Sequence, residues 1–361
     1  MEDKIVYQAM AAKEEPVASI LKARQRRGYL VATILVLALL VAMVAGIILG
    51  AVKVERPDLL QALGLWSRGD RVVDAGTRAI IVELRLPRVL LAAMVGAALA
   101  LAGAVFQALF LNPMADPYIL GVSSGAALGA TLAFLFPLQY LPVGISWVPL
   151  AAFVGAVLTV MLVIQLARSG GYMSLHNMLL SGIAVGAFFT ALVSLLMYFS
   201  RQHLHQIVFW LMGGLSQANW LYVRLALPYL MLGATVVLIQ ARAINALLLG
   251  EEVAASLGIE VARTKRWLLL GASMLTAMAV AVSGPIGFVG LIVPHVLRML
   301  VGADHRLLLP TSALSGAILV VVADTLARTV IAPTELPVGL IMALGGAPFF
   351  ISILRRRRTE G

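Results

Sequence analysis

PYILGVSSGAALGATLAFLFPLQYLPVGISWVPLAAFVGAVLTVMLVIQLA, residues 117–167, contains no Asp, Glu, Lys or Arg. A helix that crosses a bilayer needs about 20 predominantly apolar residues. This stretch is long enough for two such helices, broken between Pro137 and Pro142. No soluble fold needs so long a run without one charge, so the reading of these residues makes the chain a membrane protein.

Working outward, similar runs recur on both sides. A first span is expected over Tyr29–Leu49 and a second over Leu86–Leu109. After the two spans of the uncharged stretch, a fifth covers Asn177–Phe199 and a sixth Leu225–Gln240. The seventh covers Trp267–Val282, and the eighth Phe288–Leu300 with Pro294 inside it. The ninth covers Leu307–Ala327 and the tenth Leu336–Leu354. The expected fold is therefore all-α, a polytopic membrane protein with about ten transmembrane helices. One transmembrane domain would occupy residues 29–354. A basic segment (1–28) precedes it and a basic tail (355–361) follows it.

Composition agrees. The chain is 61% hydrophobic and 12% charged, against roughly 25% charged for a soluble domain. The net charge of +10 would suit nucleic acid in a soluble protein. Here the basic residues stand between apolar spans and are not interleaved with aromatics, which excludes nucleic acid and makes membrane lipid the partner of those charges. Cysteine is absent, which excludes disulfides and thiolate sites. Residues 1–27 are polar and end in Lys22, Arg24, Arg26 and Arg27, and the run after them is too long for a signal peptide. It reads as a retained first span.

Ten spans place both termini on one side. Most Lys and Arg fall on that side, including Arg168, Arg242, Arg263, Lys265, Arg266, Arg298, Arg306 and Arg355–Arg358. The positive-inside rule then makes it cytoplasmic, in a cell inner membrane. The spans are rich in Gly, Ala and Ser, which lets helices approach closely in lipid. There is no convincing internal repeat.

The absences matter. The middles of the spans are almost free of charge. An ion-coupled transporter keeps ionisable groups there, so a self-sufficient secondary transporter is the weaker alternative. Asp324 and Arg328 are spaced to pair on one helix face, but near the outer end of the ninth span. The histidines form no His-Glu-x-x-His motif, so no catalytic group and no metal site is expected. The chain has no energy source of its own, which favours an external motor.

Three segments carry a pattern. One runs Arg85-Leu-Pro-Arg88, Gly96-Ala-Ala-Leu-Ala100, Gly103-Ala-Val-Phe-Gln107, Asn112-Pro-Met-Ala-Asp-Pro117 and Leu120-Gly-Val-Ser-Ser-Gly125. The second is Leu249-Gly-Glu-Glu252 with Ala255-Ser-Leu-Gly258. The third runs from Ser283-Gly-Pro-Ile-Gly-Phe-Val-Gly290 through Pro294-His295, Arg298, Asp304-His-Arg306, Ala323-Asp324, Ala327-Arg328 and Glu335-Leu-Pro-Val-Gly339 to Gly345-Gly-Ala-Pro348. Together these resemble the permease subunits of type II ABC importers, which carry ferric siderophores, haem and cobalamin. The resemblance covers about residues 29–354.

The resemblance implies a permease homodimer around a central pathway, with two ABC ATPase subunits on the cytoplasmic face and an extracytoplasmic substrate-binding protein outside. It implies no catalysis and no cofactor bound by this chain. Leu249, Gly250, Glu251, Glu252, Ala255, Leu257 and Gly258 would form the loop that couples to the ATPase. Arg85, Arg88 and Arg328 would receive carboxylates of the binding protein; headgroup contact, or pairing with Asp324 for Arg328, are the structural alternatives. The segment from Ser200 to Trp220, with Trp210 and Gly213-Gly214, matches a short re-entrant helix at the pathway mouth. Gln107, Ser123 and Ser124 are candidate pathway-lining groups. A ferric siderophore is the expected cargo, with haem and cobalamin as the other chelates of the family.

Overall fold

The computed structural model describes residues 26–50, 52, 61, 74–136, 146–169, 172–200 and 202–359. Residues 1–25, the break expected at Pro137–Pro142 and residues 360–361 lie outside it.

The described chain is a helix bundle. Seven helices are long and apolar enough to cross a membrane: α1 (Arg26–Ile48), α2 (Ala75–Leu109), α4 (Trp147–Ala167), α5 (Leu175–Phe199), α7 (Trp220–Ile239), α10 (Val261–Ser283) and α12 (His305–Thr329). Three shorter apolar helices complete the expected ten: α3 (Val122–Leu135), α11 (Val289–Val301) and α13 (Val338–Thr359). Short helices α6 (Leu204–Leu211), α8 (Ala241–Leu247) and α9 (Glu251–Ser256) lie in the connections. So does a two-stranded ribbon, β1 (Arg168–Ser169) against β2 (Tyr172–Met173).

The boundaries differ where charge misleads. The second helix begins at Ala75 rather than Leu86, because Arg78, Glu83 and Arg85 read as a polar connection. It passes through a π-helical stretch, Ile80–Arg85, which turns Arg85 inward. The last helix continues through the basic residues 355–358 to Thr359, so the tail is an extension of α13.

Helix α2 is the hub of the bundle. Leu91, Val95, Ala98, Leu99, Ala102, Val105 and Phe106 are all buried. Lipid tails are as apolar as leucine, so burial from lipid gives little driving force and close van der Waals contact must hold the helices. Small residues on α2 supply it. A Cβ on Gly96 would lie 2.1 Å from the Gly316 carbonyl oxygen of α12, and one on Gly103 would lie 1.9 Å from the Gly290 oxygen of α11. Backbones meet backbones at both crossings.

The end of α2 is pinned to the break between α10 and α11. The Tyr118 hydroxyl accepts from the Ile286 N–H at 3.0 Å and donates to the Ile286 carbonyl at 3.0 Å. Asp116 caps the short 3₁₀ turn Pro117–Leu120 by accepting from the Tyr118 N–H at 2.8 Å.

Candidate functional site

One end of the bundle gathers the three arginines singled out in the sequence. Arg85 and Arg328 are buried (5% and 4% exposed). Arg85 donates to the Ile47 and Ile48 carbonyls at 2.9 Å each and also to Val52. Arg328 donates to Gly46 at 2.9 Å and Leu49 at 3.3 Å. All these acceptors belong to the last turn of α1 and the residues after it. The final carbonyls of a helix lack intrahelical partners and carry its negative dipole end. Two guanidinium groups here satisfy both needs.

Buried charge needs a counter-charge. Asp324, one turn before Arg328 and 1% exposed, supplies it. Its carboxylate lies 3.1 Å from Arg328 Nε. It also takes Arg88 in a forked contact, Nε to Oδ1 at 2.9 Å and Nη2 to Oδ1 at 2.9 Å. The remaining Arg88 nitrogen, Nη1, meets Glu335 at 2.9 Å, and Glu335 is the part-exposed member of the set. The structure therefore brings Arg85, Arg88 and Arg328 to one end, as expected, but not as open cations. Arg85 and Arg328 spend donors on the chain itself, and Arg88 lies between two carboxylates. Glu335 was part of a sequence motif; its pairing with Arg88 was not foreseen.

The opposite end carries residues 249–258. Gly250 (φ 112°) turns the chain from α8 into α9, a conformation that side chains resist. Glu251 and Glu252 occupy the first turn of α9, where negative charge suits the helix dipole. Leu249, Val253, Ala255, Leu257 and Gly258 are exposed, and Ala254 alone of residues 249–258 is buried. Glu251 holds Lys265 at the base of α10 at 2.5 Å. Sequence reasoning missed Lys265. It also missed Asn245, whose amide joins α8 to the start of α12; the only hint was Asp304 as a helix-capping residue ahead of an apolar run.

Ser123 and Ser124 line a cavity of about 530 Å³ between α3 and α5, with Tyr118, Gly182, Thr190 and Ser194. Among the described residues no charged side chain lines it. Gln107 does not reach it. That side chain is buried against α11, where Nε2 donates to the Leu291 carbonyl at 3.0 Å and Oε1 accepts from Arg298 at 3.0 Å. In this chain the Gln107 side chain is taken up inside the bundle: a polar residue in an apolar helix faces its bonding partner. Gln107→Leu should lower stability by about 1–3 kcal/mol, the cost of leaving buried polar groups short of a partner. Thermal unfolding in detergent would measure it.

The segment from 200 to 220 forms α6 and a turn at Gly213 (φ 68°). Gly214 N–H donates to Ser283 at 2.7 Å, and Gly339 N–H to Gly213 at 3.2 Å. Trp210, His205, Gln206 and Asn219 line a second cavity of about 720 Å³, which reaches Arg88 and Glu335. Among the described residues there is no cluster of three metal-ligating side chains.

The FecCD transport family model matches residues 36–356. An uncharacterized ABC transporter permease protein, YvrB, of Bacillus subtilis is 42% identical over 90% of this chain and 92% of its own length. The cobalamin import system permease protein BtuC of Halobacterium salinarum is 49% identical, over 80% of this chain and 76% of its own. The hemin transport system permease protein HmuU of Yersinia pestis is 46% identical, over 78% and 84%. A solved structure, described as an inward-facing conformation of a metal-chelate type ABC transporter, superposes with a TM-score of 0.76 at 35% identity, over 90% of this chain and 98% of that one. Bundle, motifs and relatives agree: this chain is a multi-pass membrane permease of the FecCD transport family.

Proposed function

We propose that this chain is the membrane-spanning subunit of an ATP-driven importer of a metal chelate, working as a homodimer in the cell inner membrane. Two ABC ATPase subunits bind the end carrying residues 249–258, on the cytoplasmic side with both termini. An extracytoplasmic binding protein delivers the cargo to the arginine end. The chain itself is not an enzyme.

The observation that carries this reading is the exposed 249–258 segment. Three apolar side chains, Leu249, Val253 and Leu257, stand in the open beside Glu251 and Glu252. Such a surface at the polar end of a membrane protein suits a partner protein rather than lipid. The uncharged walls of the Ser123–Ser124 cavity support the same reading, because a pathway for a large chelate works best without strong ligands. At the arginine end, Arg88 is the docking residue. It exchanges Glu335 for an incoming carboxylate, which suits a transient and quickly formed complex. Arg85 and Arg328 hold α1 and Asp324 in place around it.

The cargo is a ferric siderophore by preference, with haem and cobalamin as the other outcomes. The permeases of Halobacterium salinarum and Yersinia pestis named above are described for cobalamin and hemin, so relatives of similar identity differ in cargo.

The test is purification from native membranes with and without Glu251→Arg/Glu252→Arg. Wild type is expected to bring down an ATPase and an outer binding protein, and the double variant to lose the ATPase while keeping its fold. Mass spectrometry of the binding protein then identifies the chelate. A wild-type chain that purifies alone and moves solute without ATP would overturn the proposal.

A further inference from the structure

Besides the apolar packing of Ile244, Leu247 and Ala254 in the core, two polar contacts join the 249–258 segment and α8 to the rest of the bundle. One is the Glu251–Lys265 pair, whose carboxylate is exposed. Exposed ion pairs hold weakly and are screened by salt. The other is Asn245 on α8, one turn before Leu249. Its Nδ2 donates to Asp304 Oδ1 at 2.7 Å. Its Oδ1 accepts from the His305 backbone N–H at 2.9 Å and lies 3.0 Å from His305 Nδ1. The Asn245 oxygen already accepts, so the His305 proton sits on Nδ1. Asp304 is the N-cap of α12 and also accepts from the Arg306 N–H at 3.0 Å. His305 is 1% exposed. One amide thus grips the first turn of α12 from two sides.

Helix α12 is unbroken from His305 to Thr329 and carries Asp324 and Arg328 near its far end. It runs against α2 through the Gly96–Gly316 crossing. It is therefore one continuous element, with Pro310 in its second turn, whose two ends are the Asn245 clasp and the buried charge set.

We infer that Asn245 is a positioning residue that makes α8 and α9 move as one body with α12, so that motion of the 249–258 segment reaches the arginine end. This rests on the importer reading above. The amide is required because the clasp needs one donor, toward a carboxylate, and one acceptor, toward an N–H and a ring nitrogen. Aspartate at 245 would keep the acceptor and set two carboxylates against each other. Leucine at 245, of similar size, would remove the donor and the acceptor together without adding a charge.

The chain has no cysteine, so spin labels can be placed alone on Arg242→Cys at the start of α8 and Ala303→Cys ahead of α12, both exposed and both outside the 249–258 segment, with labelled chain diluted into unlabelled chain so that distances between the two copies of the homodimer drop out. The complex from native membranes is placed in lipid nanodiscs, and the label distance is measured without nucleotide and with ATP plus vanadate. The expected result is one unchanged distance in the otherwise wild-type chain. Asn245→Asp and Asn245→Leu are both expected to lose that single distance on adding nucleotide. Uptake per ATP hydrolysed should fall in step, per assembled complex, which a loss of folding alone would not produce. A wild-type distance that changes with nucleotide overturns the inference, and so does an Asn245→Asp variant as unchanged as wild type. A preparation without any ATPase overturns the importer reading, and this inference with it.

Discussion

Gly103→Val should leave little folded permease. The glycine lies where α2 crosses α11, and its added Cβ would sit 1.9 Å from the Gly290 oxygen and 2.5 Å from both the Gly290 carbonyl carbon and Cα. Those atoms are backbone, so no rotamer change relieves the clash. Nor can α11 simply move away: Gly290 also faces Pro117, at 2.3 Å from the ring for a Cβ built there, and the Leu99 carbonyl on α2 itself. Overpacking in a core costs about 1–3 kcal/mol where side chains can adjust; here backbones must separate, so the cost should exceed that range. The measurement is the monodisperse fraction on size exclusion and the midpoint of thermal unfolding in detergent. Gly345→Ala is the control. A Cβ there meets nothing within 4 Å, and helix propensity favours alanine by up to about 1 kcal/mol. If the two variants behave alike, the close crossing is not what holds α2 and α11 together.

Asp324→Asn should be the most damaging change of a charge. Two guanidinium groups, those of Arg88 and Arg328, share that carboxylate, which is 1% exposed. The amide removes the negative charge while Arg328 and Arg85 stay buried against α1. Removing one partner of a buried ion pair costs roughly 3–5 kcal/mol, because the other charge is left uncompensated. Glu335→Gln breaks a contact of the same length to the same Arg88, but at a part-exposed site, where exposed pairs contribute about 0–1 kcal/mol. Thermal unfolding of both variants in lipid nanodiscs should therefore separate them clearly. Equal destabilisation would mean that the charge set is hydrated in the membrane and that Asp324 has no special place in it.

The two predictions bear on what could be read in advance. The order of the ten apolar helices was legible, because a span must be long and must exclude charge, and both conditions are visible in a linear sequence. So was the gathering of the arginines at one end, which follows from alternating direction. The start of α2 was not. Arg78, Glu83 and Arg85 obscured a helix that the π-helical stretch makes tolerable by turning Arg85 to the carbonyls of α1.

Gln107 shows the limit from the other side. One glutamine in an apolar helix signals a polar partner, but the partner can be water in a pathway or an arginine on a neighbouring helix. Only packing decides. The same holds for Asn245 and Lys265, which look ordinary until α12 and α10 are placed beside them.

The sequence by itself determined that this protein lives in a bilayer, how many times it is built to cross it, and which two polar segments lie at its ends. These follow from one-dimensional rules of length, hydropathy and charge, since lipid is an unforgiving solvent for anything else. Only the tertiary structure decided which charges are spent inside the molecule and which face outward. Hydrogen bonds and ion pairs between helices join residues far apart in the chain, and their geometry exists only once α1, α2, α12 and the Glu335 loop have come together.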